Sequence, residues 1–483
     1  MTISSAFNNA LSGLSAAGRA TGIVSDNIAN ALTPGYARRS LEVATNGYTG
    51  NGVRVVGVTR HADPVLLSNR RDADATHGYT NTIADFHAGL EKAVGTTDDP
   101  TSITSRVANF ESALLQAASM PESATRLGLA VTGAKDLASS ISNASEELRQ
   151  TRSAADRSIA SQVDRLNATL KSVEDLNQKI QDVSGSGGNV NALLDQRQQA
   201  VDEINKIVPV NIAQRSNGQI ALFTDGGAVL VDGKAASLSF NLTGETKPHM
   251  TVQNNLLSGL EINGIAVRPS GPTSAIRGGT LAAQFEVRDV LSVQAQEDLD
   301  AVARDLIERF EAPGLDGTVG AGQPGLFTDD GAPFSATAPA GLAGRIEVNA
   351  VVDPDRGGDT WKLRTGLGAT TPGEQGDARQ LKAFEAALTS TRAQPDDRFG
   401  TGDVTAAGIS AALLSKVASD NSTSSRALSF ASANKAEMTR VEQENGVDTD
   451  AEVQNLILVE QAYAANARVI QVVDELMDTL LRL

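Results

Sequence analysis

The chain has no cysteine among its 483 residues, so neither disulfides nor thiolate-held metals contribute to it. That absence fits an extracellular life and a cytosolic one equally. Aromatic residues make up only 4%, which argues against bulky globular cores and for thin helical packing by Ala, Ser and Gly. Positive charge is short: 41 Lys and Arg face 58 Asp and Glu, a net charge of −17. So acidic a chain has no basic surface to offset phosphate repulsion, which excludes nucleic acid as a partner. No apolar run reaches the ~18 residues of a membrane span. The N-terminus lacks the basic and apolar regions of a secretory signal, so any export is expected to use another route.

Catalytic chemistry is equally sparse. The four histidines are His61, His77, His87 and His249, and none is spaced for zinc. Gly320, Gly322 and Gly325 match G-x-G-x-x-G, but the match contains Pro324 and opens no helix, so a glycine-rich turn is the better reading. Asp353, Asp355 and Asp359 loosely resemble a calcium loop without its closing Glu, and an acidic turn is expected there. Ser15 lies inside a helix, far from any nucleophile elbow. Most carboxylates are expected on solvated helix faces. No catalytic residue, cofactor or metal is assigned, and no enzymatic activity.

What the chain does have is heptad spacing. Length alone allows two to four domains. Ile3, Phe7, Ala10, Leu14, Ala17, Thr21, Val24, Ile28 and Ala31 alternate by four and three residues, the seam of a coiled coil. Its knobs are small, so the helix is marginal alone and needs a partner. Near the other end, Leu456, Val459, Tyr463, Asn466, Ile470, Val473, Met477 and Leu480 repeat the pattern. Leu458, Ala462, Ala465, Val469, Val472 and Leu476 form a second apolar line beside them. Two lines imply two neighbours: the N-terminal helix and a helix of another chain. Asn466 is either a register-setting polar residue on the seam or solvent-facing. Pro34 and Gly35 are read as the helix-stop hinge that ends the first helix, followed by a strand-rich connector to about residue 58.

Between the ends, Leu127 to Val183 keep the same alternation, Arg152, Gln162 and Thr169 included. That predicts a helix about 85 Å long. SGSGGN ends it, and residues 189–208 return as an antiparallel helix. Residues 209–276 show short alternating runs broken by NG, DGG and DG, the signals of hairpins. Residues 313–375 are rich in Gly and Pro, with strands expected at RIEVNAVV and TWKLRT. The fold class is therefore mainly α with a β-rich insert, an α+β multidomain chain. Its expected parts are an inner domain (1–60 with 444–483) and a helical rod (61–208, 277–312 and 376–443). A small outer β domain (209–276) completes them, with 313–375 either joined to it or separate.

SGLSAA at 12–17 and DNIANALTPGYARR at 26–39 resemble the N-terminal signature of the bacterial flagellar rod, hook and hook-associated axial proteins. Residues 446–483, QAYAANARVI above all, are similar to their common C-terminal segment. Within that family, residues 189–233 resemble the helix-to-β region of the first hook–filament junction family, with Gln198 where an acid is common. The resemblance covers the ends and roughly residues 100–310. It implies a structural, self-assembling subunit exported through the flagellar type III channel and placed outside the cell at the hook tip. It also implies as partners the hook protein, the second hook–filament junction protein and a cytosolic chaperone on the C-terminal helix. A hook or distal rod protein is the alternative, and it would lack the long helix. A flagellum-associated hydrolase would need convergent carboxylates or a histidine site.

Overall fold

The computed structural model describes residues 3–46, 52–269, 271, 273–338, 340–394 and 398–482. Residues 47–51 of the expected connector lie outside them. The first helix, α1 (Ile3–Ala29), ends shortly before Pro34 and Gly35. Turns over 30–35 follow, closed by the Thr33 carbonyl accepting from Tyr36 N (3.1 Å). Strands β1 (Arg39–Thr45) and β2 (Val53–Arg60) then pair antiparallel, with Arg39 opposite Arg60.

Helix α2 (Pro64–Val94) starts on an Asp63 cap with proline in its first turn, both strong start signals. Helix α3 (Ile103–Ser119) and the 62-residue α4 (Ala124–Gly185) each start on a serine cap. At 1.5 Å per residue α4 is about 93 Å long. Its buried line follows the heptad alternation to Ile159, then takes Val163 and Leu170 in place of Gln162 and Thr169. The shift has a geometric cause, since a 3.6-residue helix drifts about 20° per heptad against a strict 3.5 repeat.

Helix α5 (Asn191–Ile207) folds back along α4 and leads into the β region. A four-stranded sheet runs β3 (Val210–Gln214), β4 (Ile220–Thr224), β5 (Val229–Asp232), β6 (Lys234–Ala235). A three-stranded sheet holds β7 (Leu238–Ser239), β8 (Leu260–Ile262) and β9 (Ile265–Val267). Among the described residues these sheets have no separate core. Leu222, Val231, Leu238 and Leu260 share one cluster with Ile159, Leu166 and Val173 of α4 and Ile204 of α5.

Helix α6 (Gly279–Glu286) continues through one π-turn (Val287–Leu291) into α7 (Ser292–Phe310). The next segment differs from expectation. Its described residues hold one strand pair, β10 (Phe327–Asp329) with β11 (Ile346–Val348), and TWKLRT is not a strand. Lys362–Thr365 instead form a helical turn, α8, before Gly366. Leu363 is the apolar residue it commits to the core, and among the described residues no strand pairs with it to satisfy an extended backbone. Nor does the segment join the β3–β9 sheets. Leu326, Phe327, Leu342, Val348 and Leu363 pack with the first half of α4 in a second cluster. Its centre is aromatic: Phe310 meets Phe327 edge-on at 5.2 Å and lies tilted against Phe384 at 5.4 Å.

Helix α9 (Arg379–Thr389) and the short pair β12 (Arg392–Ala393), β13 (Asp403–Val404) precede α10 (Ala406–Glu444). Helix α10 runs antiparallel to α2, with Asn421 donating to Glu91 (2.6 Å) and Lys435 facing Asp74. An Asp448 cap then opens α11 (Thr449–Leu481), which returns along α1. The chain is mostly helical, with small sheets.

Candidate assembly site: the paired chain ends and their polar joint

Two contacts fix how α1 and α11 lie together. Asn466 sits over Gly13, where a Cβ would come within 2.7 Å of its amide oxygen. Asn27 Nδ2 donates to Glu452 Oε2 at 3.1 Å. Both contacts belong to one antiparallel register. In that register Leu476 lies opposite Ile3, and the residues after it run past the described end of α1.

The predicted seam residues divide accordingly. On α1, Ala10, Ala17 and Val24 are buried, Ile3, Leu14 and Ile28 are half-buried, and Phe7 is 40% exposed. On α11, Val473 is buried, while Leu456, Val459, Asn466 and Ile470 are half-buried. Tyr463, Met477 and Leu480 are exposed. Asn466 thus stands on the seam, its Nδ2 donating to the Ala462 carbonyl at 2.9 Å. The second line is bare: Leu458 is 62% exposed, and Val469, Val472 and Leu476 are exposed as well. Water meets a continuous apolar stripe there, the kind that marks a contact surface.

Where α1 ends, the stretch NIANALTPGYARR builds a polar joint. Asn27 is fully buried and satisfied on all sides. Its Oδ1 accepts from the Tyr36 hydroxyl (2.8 Å) and Arg39 N (3.0 Å), and its Nδ2 donates to the Arg39 carbonyl (2.8 Å). Glu452, 1% exposed, also accepts from Arg38 Nε at 2.6 Å. Burial raises the Tyr36 phenol above its ordinary pKa, so it stays a hydrogen-bond donor. Gly35 takes φ +77°, a left-handed turn that costs glycine nothing. Pro34 is exposed and offers its carbonyl to Gln199 Nε2 at 2.5 Å. Periodicity could not reveal Asn27, Tyr36, Arg38, Arg39 and Glu452. The available signal was a Tyr and two Arg crowded behind a helix stop, with acids, Asp450 and Glu452, in the first turn of an apolar helix.

The other motifs settle into structural roles. Lys135 Nζ donates to Asp353 (2.9 Å) and Asp355 (2.6 Å), so an internal cation occupies the calcium-like turn. Gly325 lies against the Phe310 carbonyl, closing a chain turn. His61 Nε2 meets the Ser40 hydroxyl at 2.7 Å. Among the described residues no group of three or more His, Cys, Asp or Glu side chains is placed to hold a metal. No described helix is long and apolar enough to cross a membrane. Several carboxylates depart from the expected solvated faces: Asp156, Asp195, Asp298, Asp300 and Glu452 are buried with partners.

A long helical body whose two chain ends lie side by side is the arrangement of a structural subunit. The comparisons agree with that class. Residues 88–327 match the family described as flagellar hook-associated protein FlgK helical domain. Residues 7–36 match the flagella basal body rod protein family, and 442–483 match the flagellar basal body rod FlgEFG protein C-terminal family. Flagellar hook-associated protein 1 of Salmonella typhimurium is 30% identical over 243 residues, 48% of this chain and 44% of that protein. The match therefore spans less than half the length of that relative. The Bacillus subtilis protein of the same name is 25% identical over 97% of this chain and 96% of its own. The flagellar hook junction protein FlgK from Burkholderia pseudomallei aligns over 54% of this chain and 46% of its own, with TM-score 0.44 and 24% identity. The chain belongs to the flagellar hook-associated protein FlgK family. That family is a structural component of the bacterial flagellum and not an enzymatic one.

Proposed function

We propose that the chain joins the hook to the filament, and that α1 and α11 pair as an α-helical coiled coil to form its inner, self-assembling end. The observation that carries this is the bare line Leu458, Val469, Val472 and Leu476 beside a seam in which Ala10, Ala17, Val24 and Val473 are buried. A helix paired on one side and apolar on the other is stable beside its own partner and still has area to bury against a second chain. The seam residues Ile3, Phe7, Leu14, Val24, Ile28, Leu456, Val459, Tyr463, Ile470, Val473, Met477 and Leu480 hold or extend that interface. The turn at Pro34 and Gly35 redirects the chain from the inner pair to the helical rod, and the β3–β9 sheets face outward from it.

The partners in this reading are further copies of the chain, the hook protein below and the second hook–filament junction protein above. Before assembly a cytosolic export chaperone covers α11, since its bare line would otherwise invite aggregation. Export runs through the flagellar type III channel, and the working position is outside the cell at the hook tip. Deleting the gene tests the reading. The expected outcome is hooks without filaments and filament subunits lost to the medium, and full-length filaments on hooks would refute it.

A further inference from the structure

Helix α5 carries two acids two turns apart, Asp195 and Asp202, on one face. Asp195 accepts from Arg39 (2.6 Å) and from Arg60 (2.7 Å). Those two arginines are opposite one another at the base of the β1–β2 ladder, so a single carboxylate closes both strands of the connector. Asp202 accepts from Arg71 (2.5 Å) and Arg70 (2.7 Å) in the first turns of α2. Between the acids, Gln199 holds the Pro34 carbonyl and Gln198 accepts from Arg60.

From these contacts we infer that α5 is a double clasp, with Asp195 and Asp202 as positioning residues that set the angle of the terminal helix pair against the helical rod. The connector between them is a two-stranded ribbon, which alone is weak and free to twist. Four arginine contacts on two carboxylates of one rigid helix remove that freedom. All four guanidinium groups are mostly buried. Loss of Asp195 takes the paired acid from Arg39 and Arg60, and loss of Asp202 takes it from Arg71, while Arg70 keeps Asp74 and Glu442. Stripping the ribbon's two cations favours swinging it out to water. The inference rests on reading the terminal pair as the assembling end, because only then does its angle matter to the polymer.

The absence of native cysteine makes the angle measurable. Spin labels at Gln461→Cys on α11 and Lys179→Cys on α4, both exposed positions, report the distance between pair and rod in the full chain by pulsed electron resonance. The unmodified clasp gives one narrow distance distribution. Asp195→Asn with Asp202→Asn loses that single peak while helical circular dichroism is kept. Gln198→Glu added to Asp195→Asn returns an acid to Arg60 and restores the peak. Should the double variant lose its helical signal, Asp195→Asn with and without Gln198→Glu carries the comparison. A distribution that stays narrow without the carboxylates, or stays broad with Glu at 198, overturns the clasp. Because the readout is the free chain in solution, it stands apart from the hook-and-filament test above.

Discussion

Gly13 and Asn466 fit as hole and knob: the amide of α11 occupies the space a side chain at position 13 of α1 would take. The amide cannot swing aside freely, because its Nδ2 is bonded to the Ala462 carbonyl. A polar side chain in such a place fixes register, since a slip in either direction sets it against apolar neighbours.

The pair is therefore coupled. Gly13→Ala improves helix propensity by about 1 kcal/mol yet destabilises the α1–α11 pair, and Asn466→Ala relieves the conflict. A double-mutant cycle by chemical denaturation is expected to give a coupling of about 1 kcal/mol. Effects that add within a few tenths would make the contact incidental.

Seam and bare line separate by phenotype. Ile470→Asp puts a charge into the half-buried contact with α1 and is expected to cost about 2–3 kcal/mol of stability. Leu458→Asp lies on the bare line and shifts stability by less than about 0.5 kcal/mol. Both variants fail to assemble, so melting curves read beside polymer yield distinguish them. Substituting any histidine is expected to leave assembly intact.

The β3–β9 sheets are anchored by a buried ion pair. Arg288 and Asp156 are both fully buried 2.7 Å apart, and Arg288 also reaches the Ser258 carbonyl at 2.9 Å. Arg152, on the α4 seam, donates to the carbonyls of Arg288 (2.8 Å) and Met250 (2.6 Å). Asp156→Asn leaves the guanidinium with Asp289 as its remaining carboxylate and is expected to cost about 3 kcal/mol. Proteolysis should then cut first within 240–260, where Thr243 N loses the carboxylate that accepts its hydrogen bond. Uniform resistance would argue that the pair is dispensable.

Acid should act through His87. Burial lowers its pKa below the ordinary 6.5, with Asp420 opposing that shift. The unfolded chain therefore binds the proton first, and stability falls as pH drops below about 6.5 towards the folded value. His77 is lowered too, by burial and then by Lys435, so the His87 share is a difference. His87→Gln is expected to flatten the decline between neutral pH and pH 5 in melting experiments. An unchanged slope would remove His87 from the account.

Helices were legible wherever one apolar line decided them. Leu127 to Ile159 and the two chain ends could be traced by spacing alone, because burying that line is what makes each helix stable. Gln162 and Thr169 were misplaced because a real helix drifts off an ideal heptad over a long run. Polar interiors left no periodic trace: Arg152 stood on the expected seam without a visible reason, and Asp156 looked like any solvated acid. The six residues TWKLRT alternate well enough for a strand, but an isolated alternation cannot say whether a second strand lies beside it. Along the α1–α11 pair spacing marked the buried Val24 and Val473, but it also marked Phe7, Tyr463, Met477 and Leu480, which are exposed. The joint of Asn27, Tyr36, Arg38 and Glu452 was not readable, since Glu452 lies more than 400 residues from the other three.

The bare line of α11 is the claim on which the rest depends, and its accessibility in the flagellum is the direct test. Single variants Leu458→Cys and Val472→Cys, in a chain with no other cysteine, should react quickly with a maleimide when the protein is free. In flagella with filaments attached to hooks the same positions should be shielded and react far more slowly. Equal labelling rates in the free and assembled states would contradict the account.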